Sequence, residues 1–111
     1  SQIYFYRSLH DFLLNKYKDY NIILEQYKEQ LISELYESSS FIETHSIISK
    51  LMDYSDLSQK NISDICMAAM ENNQINWIIH DNDISTFYKK ILEDFEGEDE
   101  SVLNVKKMLD D

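Results

Sequence analysis

The chain has 111 residues, 21 acidic and 10 basic, a net charge of −11, no proline, one glycine and one cysteine. Such a surface repels phosphate, which argues against direct nucleic-acid binding; it draws basic partners, or imitates a phosphate backbone towards a protein that normally binds one. Cys66 alone excludes an internal disulfide and suits a reducing cytoplasm, no run approaches the ~18 apolar residues of a membrane span, and no secretory signal is read.

Without Pro or Gly to turn the backbone tightly, helices have to run long and short polar joints have to reverse the chain. The expected class is therefore an all-α bundle of five to six helices with a long Tyr-rich first helix or helical hairpin. The length predicts one domain, 1–111, made of a long helical arm (1–38) and a compact helical part (39–111). The chain begins at Ser1, as a processed product or a piece of a longer parent would.

In the first third, Tyr6, His10, Leu13, Tyr17, Tyr20, Leu24, Tyr27 and Leu31 alternate in steps of four and three, a heptad-like seam with aromatics where a coiled coil prefers Leu and Ile. Phe5, Leu9, Phe12, Ile23 and Leu35 widen the stripe, which favours packing on a core over a bare zipper. Lys18-Asp19-Tyr20-Asn21 offers a break, with Asp19 or Asn21 starting a second helix. Ser40 with Glu43 forms a capping box, and Phe41, Thr44, His45, Ile48, Leu51 and Met52 make one helical face ending near Tyr54. Asp56 with Gln59 repeats the capping-box spacing. Ile62, Ile65, Cys66, Ala69 and Met70 form the next amphipathic face, which Asn72-Asn73 closes because Asn tolerates left-handed backbone.

The apolar run Ile75–Ile79 would be an unpaired strand, so it is read as a short buried helix or turn. Asp81-Asn82-Asp83 caps a helix with Ile84, Phe87, Tyr88, Ile91, Leu92 and Phe95 on its apolar side. Gly97 suits the position just past its end. Glu98-Asp99-Glu100 opens a last helix, where acids complement the dipole, with Val102, Val105, Met108 and Leu109 facing inward. The expected core centres on Trp77, Ile65, Ala69, Phe87, Ile91, Phe41 and Ile48.

Candidate chemistry is sparse. None of His10, His45 and His80 has the i+4 His, Cys or Glu of a helical metal site. His80-Asp81-Asn82-Asp83 lacks the bend glycine and distal Glu of a calcium loop. Arg7 and His10 are the residue types of HEPN-type helical ribonucleases, but that family places four to six residues between them, and here only Ser8 and Leu9 intervene. Cys66 on a core face reads as an inert thiol. No enzyme, cofactor or metal is expected. Glu93, Asp94, Glu96, Glu98, Asp99, Glu100, Asp110 and Asp111 against Lys106 and Lys107 leave a net −6 at the C-terminal end, a solvated face or a dock for a basic partner. Six of the eight tyrosines, Tyr4, Tyr6, Tyr17, Tyr20, Tyr27 and Tyr36, lie in the first 36 residues. Tyr buries area while keeping a polar tip, as interfaces require.

Phe41-Ile-Glu-Thr-His45, Asp56-Leu-Ser, Met70-Glu-Asn-Asn-Gln-Ile-Asn-Trp77, Asp81-Asn-Asp83-Ile and Phe87-Tyr-Lys-Lys-Ile-Leu follow one another in residues 41–92. This series resembles C-terminal helical segments of some bacterial PIN-like domain proteins associated with nuclease or defence roles. The resemblance implies an accessory helical module without the PIN catalytic core, whose parallel sheet and acidic metal cluster this chain has no strands to build. The expected function is a non-enzymatic protein-interaction module of a bacterial defence or toxin-linked nuclease system. Its partner would be another protein or a second copy, held by Tyr17, Tyr20, Leu24, Tyr27 and Leu31 on the N-terminal helix, with no nucleic acid and no membrane. The alternative is an acidic inhibitor, an antitoxin or phage-encoded DNA mimic, on a basic nucleic-acid-binding partner.

Overall fold

Nothing in the first 37 residues interrupts an intrahelical ladder. Asp and Asn in a helix interior cost only about 0.7 kcal/mol each relative to Ala, and a formed helix extends through them more easily than it restarts. In the computed structural model, which describes residues 2–110 and their side chains from Tyr4 onward, α1 accordingly runs unbroken over Gln2–Glu37. The break considered at Lys18–Asn21 does not occur, and the long helix rather than the hairpin is the form adopted. Ser1 and Asp111, both named above, lie outside the described residues.

Five helices follow: α2 (Phe41–Leu51), α3 (Gln59–Glu71), α4 (Ile75–Ile78), α5 (Asn82–Glu93) and α6 (Glu100–Asp110). The described residues contain no strand, so the fold is an all-α bundle. α3 is the hub, packing on α6 and α1; α1 also lies on α2, and α5 contacts α6, α2 and α4. The long axis of the molecule measures 65 Å against 29 and 21 Å across, and α1 alone accounts for about 54 Å of it at 1.5 Å per residue.

The core holds Leu31, Ile32 and Leu35 of α1 with Ile48, Leu51, Ile62, Ile65, Ala69, Ile78, Ile84, Tyr88, Ile91 and Val105. Two expected core residues sit at its rim instead. Phe41 is 42% exposed and Trp77 is half-buried, their rings meeting edge to face at 6.5 Å. Phe41 is the first residue of α2 and faces the edge of the bundle, and an indole N–H is best left near water. Tyr88 takes the central place, fully buried, with no protein partner for its hydroxyl.

Helix ends explain how one glycine suffices. Asn73 adopts φ 55° after α3, and the Gln74 N–H reaches back to Ala69 O at 2.9 Å, the left-handed closure expected of Asn72-Asn73. α1 ends without such a turn. Its last carbonyls are met by side-chain amides of the α3–α4 joint: Gln74 Nε2 donates to Leu35 O at 2.8 Å, and Asn72 Nδ2 donates to Tyr36 O. α5 is closed in the same way. Gln59 Nε2 donates to Asp94 O at 2.8 Å while Gln59 Oε1 accepts from the Glu96 N–H. Gly97 is therefore not the residue just past α5; it turns the following loop at φ 120°.

At the starts, Ser40 accepts from the Glu43 N–H and Asp81 from the Ile84 N–H, as the spacing predicts. The α3 cap is Ser58, not Asp56: Ser58 and Asn61 satisfy each other's backbone N–H in a reciprocal box. Leu57 and Ile62 on either side supply apolar residues at the two staple positions.

Asp99 caps α6, accepting from Ser63 Oγ at 2.7 Å and from the Val102 N–H at 3.2 Å. The Ser63 hydroxyl first, then the Val102 N–H, hold its carboxyl below the ordinary value of 3.8. A depressed folded-state pKa contributes stability that is complete above pH 3.8 and disappears as pH falls through the lower, folded value. Asp99→Ala is expected to cost about 1 kcal/mol at pH 7, a gap that closes in acid. Urea titrations of both proteins at neutral and acid pH measure it, and a constant gap would exclude the charge-dependent share.

Candidate functional site

Seam residues alternate along α1, but only its C-terminal third has a neighbour to pack on. Lys28, Leu31, Ile32 and Leu35 are buried against α2 and α3. Three polar ties fasten this stretch. Tyr54 donates its hydroxyl to Leu24 O at 3.0 Å, Asn61 Nδ2 donates to Glu29 Oε1 at 2.9 Å, and the buried Lys28 ammonium meets Glu25 at 2.9 Å. Burial, more than the nearby Tyr27, raises the Tyr54 hydroxyl pKa, so it stays a donor.

N-terminal to Leu24 no body element covers the helix. Among residues 4–27, Tyr4, Phe5, Tyr6, Phe12, Leu13, Tyr17, Tyr20, Ile22 and Ile23 are all between 56% and 69% exposed. Scattered exposed apolar residues are ordinary; a continuous apolar arm several turns long is the kind of surface that marks a macromolecular contact. An isolated helix of this length is marginal in water without tertiary packing.

The expected contact residues divide accordingly. Tyr17 stands free on the arm, 64% exposed. Tyr20, Leu24 and Tyr27 line one wall of a groove of about 460 Å³ where the arm leaves the body. The opposite wall, with Asp53, Tyr54 and Asp56, comes from the connection between α2 and α3. Leu31 is 1% exposed and belongs to the core. It anchors the arm and is not available as a contact, because the body covers the seam from Lys28 onward. Residue order alone does not show the groove's second wall, since Tyr54 reads there only as the end of α2.

No catalytic constellation emerges. His10 Nδ1 lies 3.6 Å from Asp11 Oδ1 on the exposed arm, His45 Nε2 lies 3.7 Å from the α5 cap Asp81, and His80 is exposed on its own. No group of three His, Cys, Asp or Glu suited to a metal occurs among the described residues. Burial, with Asp99 adding to it, pushes the Cys66 thiol up to about 12, far from a nucleophilic thiolate. No helix among the described residues is long and apolar enough to cross a membrane. Compared with family models, curated proteins and solved structures, the chain matches none.

Proposed function

We propose that the protein is a non-enzymatic interaction module that works by packing its α1 arm against a partner protein. The observation that supports this is the uncovered apolar stripe of residues 4–27 running into the groove at Tyr20, Leu24 and Tyr27. On the likeness of residues 41–92 to accessory helices of PIN-like proteins, the same proposal gives the partner a bacterial defence or toxin-linked nuclease setting. Changing Tyr20, Leu24 and Tyr27 together to Ala is expected to abolish association while leaving the circular dichroism and melting of the body intact, because these side chains touch the groove and not the core. If the wild type sediments as a monomer and no protein co-purifies with it, the proposal fails.

A second reading keeps a specific observation. Residues 19–111 carry 20 acidic and seven basic residues, enough carboxylate to occupy a phosphate-binding cleft of a basic protein. Such mimicry weakens steeply with added salt, whereas an apolar helix contact does not. A salt series on any captured complex therefore separates the two.

A further inference from the structure

The charges of α1 run against its own dipole. Its first half carries Arg7, Lys16 and Lys18 against Asp11, with no acid in the first turn. Its second half carries Asp19, Glu25, Glu29, Glu34 and Glu37 against Lys28, with no base in the last turn. A lone helix prefers acids at its start and bases at its end, so this order costs stability unless something outside the helix uses it. Two copies laid antiparallel use it: the basic half of each faces the acidic half of the other, and the two dipoles oppose. A parallel pair would set like charges side by side.

At 3.6 residues per turn, the seam of Tyr6, Leu13, Tyr17, Tyr20, Leu24 and Tyr27 continues the side of α1 that meets the body at Leu31 and Leu35. An antiparallel pair sharing residues 4–27 places Tyr17 near the two-fold axis. Each tip, at Tyr6 and Arg7, then lies level with Glu25 of the other copy, at the mouth of its groove. Asp53 and Asp56 line that groove, so the chain's only arginine arrives among carboxylates. The body, which covers α1 from Lys28 onward, limits how far the tip slides.

The area is also sufficient. Tyr6, Leu13, Tyr17, Tyr20 and Tyr27 are 42–64% exposed. At about 150–250 Å² per aromatic side chain, the seam supplies roughly 600 Å² per copy, reaching the ~1,200 Å² total at which specific interfaces begin. A two-fold contact needs a surface complementary to itself, and this helix carries both signs of charge in the order that antiparallel self-pairing requires.

We infer that the arm's partner is the arm of a second copy, in an antiparallel two-fold dimer whose tips seat in each other's junction grooves. The inference rests on the reading of the arm as an interface.

Sedimentation equilibrium tests it first. The wild type is expected at twice 13.3 kDa, and the Tyr20→Ala/Leu24→Ala/Tyr27→Ala protein at the single-chain mass. Arg7→Glu should weaken the dimer, most at low salt. Orientation comes from cysteine variants joined with a short bis-maleimide, for which the buried Cys66 does not compete. Tyr17→Cys should link to itself, whereas Tyr6→Cys and Tyr27→Cys should link only when mixed. A Tyr6→Cys self-link means a parallel pair and overturns the inference. A wild type that stays monomeric but binds a different protein through Tyr20, Leu24 and Tyr27 overturns self-pairing alone. A dimer untouched by the triple alanine variant is held elsewhere and overturns both the inference and the arm's role.

Discussion

Exchanging Gln74 for glutamate is expected to destabilise the protein by about 3–5 kcal/mol at pH 7, the range for an uncompensated buried charge. Gln74 is fully buried, and its amide nitrogen donates to Leu35 O at 2.8 Å with Ser38 O at 3.5 Å. A carboxylate of the same shape has no proton to give and faces the electronegative end of α1. Burial would raise the folded-state pKa of the new Glu, so the folded form binds more protons than the unfolded one. Stability therefore falls as pH rises above the ordinary Glu value of about 4.3, and it recovers in acid as the protonated group again donates. Gln74→Leu separates charge from lost hydrogen bonds: it should cost about 1–3 kcal/mol with no pH dependence. Urea unfolding across pH measures both. A Gln74→Glu protein as stable as wild type at pH 7 would mean that the amide does not close α1 in solution.

Ile65→Ala is expected to cost about 2–5 kcal/mol, a large share of the 5–15 kcal/mol that holds a typical domain folded. Ile65 is 0% exposed on α3, the helix that packs on both α6 and α1. Removing its side chain leaves a void between layers that cannot close around it. Phe41→Ala removes more atoms, yet should cost less than Ile65→Ala, because 42% of the residue is already in water and only the edge contact with Trp77 is lost. Thermal melts of the two variants decide this. Equal losses would place Phe41 in the interior.

These two positions show how far spacing alone reaches. The i, i+3, i+4 recurrence of Ile62, Ile65, Cys66 and Ala69 leaves one face for α3, and all four are buried; Ile84, Phe87, Tyr88 and Ile91 do the same for α5. Periodicity says which side of a helix is apolar, not whether a neighbour covers it. Tyr20 and Leu31 share one seam, yet only Leu31 has the body above it. Phe41 fits its stripe but begins its helix, where the bundle ends. Caps were legible where the partner is three residues away, as at Ser40 and Asp81. With Asp56 and Ser58 competing two residues apart, it was the reciprocal bond with Asn61 that decided. The amides of Gln59, Asn72 and Gln74 gave no local signal, because their acceptors lie elsewhere in the chain. The groove beside the arm was illegible for the same reason: Tyr54 meets Leu24 across 30 residues.

Those three amides also bear on how the chain becomes ordered. Each closes a helix belonging to a segment 35 to 39 residues distant, so neither α1 nor α5 can be finished before α3 has arrived beside it. Partial structures would carry open carbonyls with nothing to answer them. The body should therefore assemble in one concerted event, with amide protons at the ends of α1 and α5 acquiring protection together with those of α3. Tyrosines on the outer turns, fastened to nothing in their own chain, would stay in fast exchange until a companion helix lies along them.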